Sequence, residues 1–239
     1  MFVKELPESL AASRGMMRRN INTVRRSEIG AEKRSRTLIV LLGAALELFG
    51  REEGRLTRIE DVCAKAKVSR GTFYNYFTGM DPLIRALSKH ISEDFDLAVH
   101  ASSDALPTYA ERTCAAIRNY LGRAVEDPQW GWAMVNTSLG RPMYGEDIFR
   151  RVQETLQGGI ANGEFTLESA DVGRDLLLGT GLAATLTLLQ GAAPKDYLRN
   201  VTYRILLALG VKPTLAAELV RRPLPALPPL PSRTQQGRS

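Results

Sequence analysis

Residues 69–77 read Ser-Arg-Gly-Thr-Phe-Tyr-Asn-Tyr-Phe, and the chemistry available to them is recognition rather than catalysis. Arg70 can neutralise a phosphate, and the hydroxyls of Ser69 and Tyr74, with Thr57 upstream, can donate to phosphate oxygens. Asn75 can read a base edge, with a preference for the adenine N6/N7 pair, and Thr72 can meet a thymine methyl or a base acceptor. Gly71 costs a helix roughly 1 kcal/mol against alanine, which close approach of the backbone to another surface would compensate. The same residues also suit a plain helical hairpin, with Tyr74 and Tyr76 packed against neighbours in an all-α core.

Two helices have to hold this stretch. Thr57-Arg58-Ile59-Glu60 has the form of a capping box, and Ile59, Val62, Cys63 and Ala66 make one apolar stripe of a short helix behind it. Ser69 is placed to cap a second helix of barely two turns, anchored by Phe73 and Phe77 four residues apart. Thr78-Gly79 interrupts it, and Asp81-Pro82 reads as cap and first residue of the next helix, carrying Ile84, Leu87, Ile91, Phe95 and Ala98. Upstream, from about Arg34 to Gly50, Leu38, Leu41, Leu42, Ala45, Leu48 and Phe49 share a face. Two short amphipathic helices around a turn, over 57–76, describe a helix-turn-helix.

The stretch from Arg34 to Ile84 resembles the N-terminal domain of the TetR family of transcriptional regulators. The likeness rests on ALELFGREEG, on the Thr57 start with Ile59 and Val62, and above all on VSRGTFYNYFTGMDPLI. It implies that Arg70, Thr72, Tyr74, Asn75 and Tyr76 lie on the recognition helix and that Thr57 opens the supporting one. Family members often carry a lysine just before the acidic residue that follows the recognition helix. Here that position is Met80, and Arg18, Arg19, Arg25 and Arg26 of the N-terminal arm are the candidate substitutes.

Beyond this head the apolar spacing predicts helices near 107–126, 128–139, 145–162, 168–190, 194–210 and 213–222, with no alternating strand runs. The expected fold is therefore all-α: a helix-turn-helix DNA-binding domain over 34–94, then a helical regulatory and dimerisation domain over 95–222. GGIANGEF at 158–165 and the helix around DLLLGTGLAATLTLLQG are similar to TetR-type regulatory domains, whose last two long helices pair with their copies. Gly179 with Ala183, and Gly181 with Thr185, are small enough to admit a second helix. A largely apolar effector site is expected among the middle helices, with Tyr120, Trp130, Trp132, Met134, Asn136 and Phe149 as candidates, although aromatics at helical spacing also serve as core.

Composition narrows the alternatives. The chain has 239 residues, 44 % hydrophobic and 24 % charged, with a formal net charge of +6. That excess lies in the tails: residues 1–36 carry nine Lys/Arg against four Asp/Glu, and 221–239 carry four Arg and no acid, so the body is slightly acidic. Residues 1–33 read as a basic, flexible arm or one marginal helix, and 223–239 as a disordered, proline-rich tail. Two cysteines and two histidines supply neither a disulfide framework nor a zinc site. There is no nucleophile elbow, phosphate loop or metal-binding His pair, so neither an enzyme nor a cofactor is expected. With no signal-like stretch and no run of eighteen apolar residues, a cytoplasmic protein without a membrane partner is expected. The reading is a homodimeric regulator, a repressor of a palindromic operator on double-stranded DNA that answers to a small-molecule effector. A TetR-type activator, or an all-helical interaction module using the Pro-rich tail, stands as the alternative.

Overall fold

The computed structural model describes residues 30–138 and 144–229. Among them every regular element is a helix, as the periodicity predicts. Contacts divide the chain after Leu41. In the first unit the described residues, 30–41, are helical, with Arg36 paired to Glu32 at 2.8 Å and the Thr37 hydroxyl donating to the Lys33 carbonyl at 3.0 Å. Helix is already formed at residue 30, within the stretch read as an arm or a marginal helix, and these bonds four residues apart support it. The rest of the arm, 1–29, and the end of the proline-rich tail, 230–239, lie outside the described residues. Residues 223–229 hold no helix or strand.

In the second unit residues 42–49 are helical, here α1, and lead into a turn and a short 3-10 segment, Gly54–Leu56. There follow α2 (Ile59–Ala66), α3 (Arg70–Tyr74), α4 (Met80–Ser103), α5 (Tyr109–Glu126), α6 (Pro128–Ser138), α7 (Glu146–Ala161), α8 (Ala170–Leu189), α9 (Tyr197–Ala208) and α10 (Pro213–Leu219). Two helix starts differ from expectation. Arg58, not Thr57, caps α2: its N–H donates to the Asp61 carboxylate at 2.8 Å, because the acid three residues on from Arg58 is Asp61. Gly79 caps α4 and Met80 opens it, so Asp81 falls inside the first turn beside free amides, and Pro82 occupies a first-turn position that tolerates it.

Helix α5 is the hub, packing on α4, α6, α7, α8 and α9. Its sequence permits this: Ala110, Thr113, Cys114, Ala115, Ile117, Leu121 and Ala124 are buried on several sides, and most are small. A capping box starts it, with the Thr108 hydroxyl accepting from the Glu111 N–H at 3.1 Å and the Glu111 carboxylate accepting from the Thr108 N–H at 3.2 Å. Leu156, Leu206 and Leu209, all fully buried, close the core around it with Phe165. Gly159 is required there, since a Cβ would stand 2.2 Å from the Phe165 ring. At the C-terminal end Arg222 ion-pairs with Glu111 and Glu218, and its carbonyl accepts from Arg118 at 2.7 Å, tying the end of α10 to α5.

Helix α8 is long and apolar enough by length and composition to cross a membrane, yet only 22 % of that window is buried within the chain. Val172 and Leu176 are exposed, and a Cβ on Gly179 would meet nothing within 4 Å. The second pair of small residues faces the other way. Thr185 is buried, its hydroxyl donating to the Gly181 carbonyl at 2.9 Å, so Gly181 and Thr185 serve intrachain packing, not the approach of a second helix.

Candidate functional site

The recognition stretch is built by two caps. Helix α2 stops where Lys67 turns into the left-handed region (φ 54°), and its N–H and that of Val68 return to carbonyls of the last turn. Two residues later the Ser69 hydroxyl accepts the Thr72 N–H at 3.0 Å and opens α3. Phe73 is fully buried and touches Phe77, with ring centroids 5.7 Å apart. One anchored side is enough to fix the other: Arg70, Gly71, Tyr74 and Asn75 are exposed, Thr72 and Tyr76 half-buried.

The outward groups are not equally free. The Thr72 hydroxyl lies 2.9 Å from that of Ser69, so it is partly occupied. Arg70 ion-pairs with Glu60 of α2 at 2.9 Å, and the Tyr74 hydroxyl and Glu60 both favour its charged form. Exposed pairs of this kind are weak because water screens them, so the guanidinium can exchange Glu60 for another anion at small cost. Thr57 is half-buried between the 3-10 segment and α2. Gly71 has room for a side chain, since a Cβ would meet only the Ser69 hydroxyl at 3.7 Å. Nothing in its own chain requires the glycine.

A second feature lies among α4, α5, α7 and α8: a cavity of about 130 Å³. At one end Asp96, 4 % exposed, is held by three groups. The Tyr120 hydroxyl donates to it at 3.0 Å, Arg151 Nε stands 2.9 Å away and His100 Nε2 3.5 Å away. Burial first, then the Asp96 carboxylate, holds the Tyr120 hydroxyl protonated well above the usual tyrosine range, and burial pushes Tyr144 up to about 12. Both are neutral O–H groups at physiological pH. Val99, Ile117, Ile148, Val152 and Leu177 line the middle, and Ser103, Thr113 and Tyr109 the far end.

Of the six residues expected around an effector, Tyr120 lines this cavity. Trp130 stands behind it, 6.1 Å from the Tyr120 ring, with its indole N–H donating to the Ile91 carbonyl at 2.9 Å. Met134 is fully buried in core, and Trp132 borders an open groove with Gly179 and Leu186. The Asn136 amide donates to the Phe49 and Arg51 carbonyls, and Phe149 lies beneath the Arg174 guanidinium at 4.2 Å. Sequence reading missed Asp96, Arg151, Ser103, Thr113 and Tyr144. A signal existed for one of them: Ser88, Ser92 and Asp96 recur every four residues on the buried side of α4, and a carboxylate there needs partners.

Comparison with known proteins fits this layout. Residues 41–87 match the model of the bacterial regulatory proteins of the tetR family, and 108–222 match that of a tetracyclin repressor-like C-terminal domain. The chain belongs to the TetR family. TetR regulators are also what its fold resembles. RolR, solved with resorcinol, is 25 % identical at a TM-score of 0.67, over 83 % of this chain and 100 % of that one. FadR from Bacillus subtilis, solved with stearoyl-CoA, is 17 % identical at 0.53, over 72 % and 96 %. A TetR-family regulator from Haemophilus influenzae is 18 % identical at 0.54, over 74 % and 98 %. No curated protein matches the sequence. The protein is thus a TetR-family transcriptional regulator with a helix-turn-helix head.

Proposed function

We propose that this regulator is an effector-responsive repressor that binds a palindromic operator as a homodimer, with a head over residues 34–94 and a regulatory body over 95–222. The observation that carries the reading is the division of α3 into a buried anchor, Phe73, and an outer face of Arg70, Gly71, Tyr74 and Asn75. That face suits a major groove: Arg70 and the hydroxyls of Ser69, Tyr74 and Thr57 to phosphates, Asn75 and Thr72 to base edges, Gly71 for close approach, with Tyr76 supporting. Dimerisation is supported by α8, where Val172, Leu176, Gly179 and Ala183 follow at steps of four, three and four, the spacing of a helix–helix seam.

Effector response is supported by the cavity beside Asp96 and Tyr120, and by the ligands named with RolR and FadR. A molecule that binds the DNA-incompetent spacing of the two heads more tightly than the competent one weakens operator binding by that ratio. No group in this scheme calls for a catalytic step or a cofactor, and the site of action is the cytoplasm.

Footprinting on DNA upstream of the protein's own gene, followed by genomic selection, tests the reading. A salt-sensitive, two-fold symmetric protected site, and a transcript that rises when the gene is deleted, are expected. A transcript that falls identifies an activator. Failure to protect any site favours a protein-interaction role.

A further inference from the structure

The cavity has a chemistry of its own, and its two ends lie a fixed distance apart. Asp96 and Ser103 are seven residues apart on α4, and Thr113 and Tyr120 seven apart on α5. Two helical turns separate each pair, a rise of about 10 Å. At the first end the Asp96 carboxylate is met within the chain by Tyr120, Arg151 and His100, although the Arg151 Nε–H pairs with it by charge and not by a well-aligned hydrogen bond. At the other end the hydroxyls of Ser103 and Thr113 are buried with no hydrogen-bond partner, and both residues are only 4 % exposed. Native proteins rarely leave such groups unpaired without a reason.

Charge and size limit what can pair them. The guanidiniums lining the cavity are engaged, Arg151 with Asp96 and Arg112 with the Leu106 carbonyl at 2.8 Å and the Tyr109 ring. With Asp96 and Asp104 they make the lining formally balanced, so an anionic guest would find no cation in reserve. The cavity of about 130 Å³ is close to the roughly 150 Å³ that holds one benzene ring. A long acyl chain or a nucleotide exceeds that volume. Tyr109, Tyr120 and Tyr144 supply aromatic walls between the polar ends. A ring with two separated hydroxyls, each reaching out through a hydrogen bond of about 2.8 Å, spans about 10 Å.

We propose that the effector is a small, uncharged, single-ring hydroxylated aromatic, one hydroxyl pairing Ser103 and Thr113 and the other facing the Asp96 and Tyr120 pair. This rests on the effector-responsive reading above and deepens it by naming the ligand class and the residues that select it.

Calorimetric titration of the full-length protein with 1,3-dihydroxybenzene, phenol, toluene, benzoate and stearoyl-CoA tests it, with operator binding measured in parallel by fluorescence anisotropy. The dihydroxybenzene is expected to bind at least tenfold more tightly than toluene, and benzoate and stearoyl-CoA not at all. Ser103→Ala with Thr113→Val, which keep the volume of the site nearly unchanged, should lose at least fivefold for the dihydroxybenzene and nothing for toluene. Equal binding of toluene and the diol, preference for benzoate, or variants that leave the diol unaffected would each overturn the proposal. If the effector-free protein binds its operator while no phenol binds, this inference fails and the regulator reading stands. If it binds no operator at all, the regulator reading fails first.

Discussion

The side-chain amide of Asn136 on α6 donates to the main-chain carbonyl of Phe49, 87 residues earlier, at 2.9 Å, and to that of Arg51 at 2.7 Å. One nitrogen thus holds the end of α1 and the turn beyond it against the helical body. Gly54 makes room for the clamp, because a Cβ there would lie 2.8 Å from the same nitrogen. Substituting Asn136→Ala removes both donors and takes this partner from the Phe49 carbonyl, while the Arg51 carbonyl keeps the Gly54 N–H at 2.9 Å, a cost of about 1–3 kcal/mol. Asn136→Asp should cost more, since it sets a carboxylate against two carbonyls. Urea denaturation of both variants checks the order. An alanine variant as stable as the parent would mean that the clamp contributes nothing to the fold.

Gly71→Ala separates folding from reading. The added methyl has room in the free protein and improves helix propensity by roughly 1 kcal/mol, so the melting temperature should hold or rise. On the proposed interface the methyl occupies the approach of the backbone to DNA, and operator affinity should fall at least tenfold. Unchanged affinity in electrophoretic shift titrations would remove α3's close approach from the model.

Ser69, Tyr74 and Asn75 should fail in three different ways. Ser69→Ala loses the cap on α3 and about 1 kcal/mol of stability. Tyr74→Ala weakens binding on all operator sequences alike, as a phosphate contact does. Asn75→Ala relaxes selection at one base pair by roughly 1–3 kcal/mol. Binding to a library with each operator position randomised tells them apart, and an equal loss everywhere for both Tyr74 and Asn75 variants contradicts the roles given.

Stability should decline in alkali. Burial raises the folded-state values of Cys114 from 9.0 to about 11 and of Tyr144 from 10.0 to about 12. Above the unfolded values the unfolded chain releases protons that the folded chain retains, so each degree of alkalinity favours unfolding. The contribution is fully present below pH 9 and is lost as pH rises towards 12. Tyr144→Phe should flatten the upper part of this decline in chemical denaturation between pH 8 and 12. A profile as steep as the parent's would assign the loss elsewhere.

Leu176→Arg places a charge in the exposed stripe of α8 without entering the core, since Leu176 is 42 % exposed. On the proposed dimer, sedimentation equilibrium should show a dimer for the parent and a monomer for the variant, with operator affinity reduced at least a hundredfold by loss of the paired head. A parent that sediments as a monomer would remove the symmetric model.

The head was more legible in the sequence than the cavity, for a physical reason. Ser69, Phe73 and Phe77 act within one or two turns, and capping and four-residue spacing are local properties. The α2 cap falls one residue later than the sequence pattern suggests, because Glu60 and Asp61 are adjacent acids and only the backbone geometry chooses between them. Asp96, Ser103, Thr113, Tyr120 and Arg151 come from three helices, and each by itself reads as an ordinary helical polar residue. Trp130 and Asn136 drew notice by residue type, yet their hydrogen bonds are spent on Ile91 and on the α1 turn. Only the packing of α4, α5 and α7 reveals which polar groups meet.

The division of α3 into one buried anchor and an outward face has an evolutionary consequence. Phe73 carries the attachment of the helix, whereas Tyr74 and Asn75 contribute little to holding the fold together. Mutations at the outer positions can therefore drift without unfolding the protein, and a duplicated copy can change its outward face while inheriting the helical body intact.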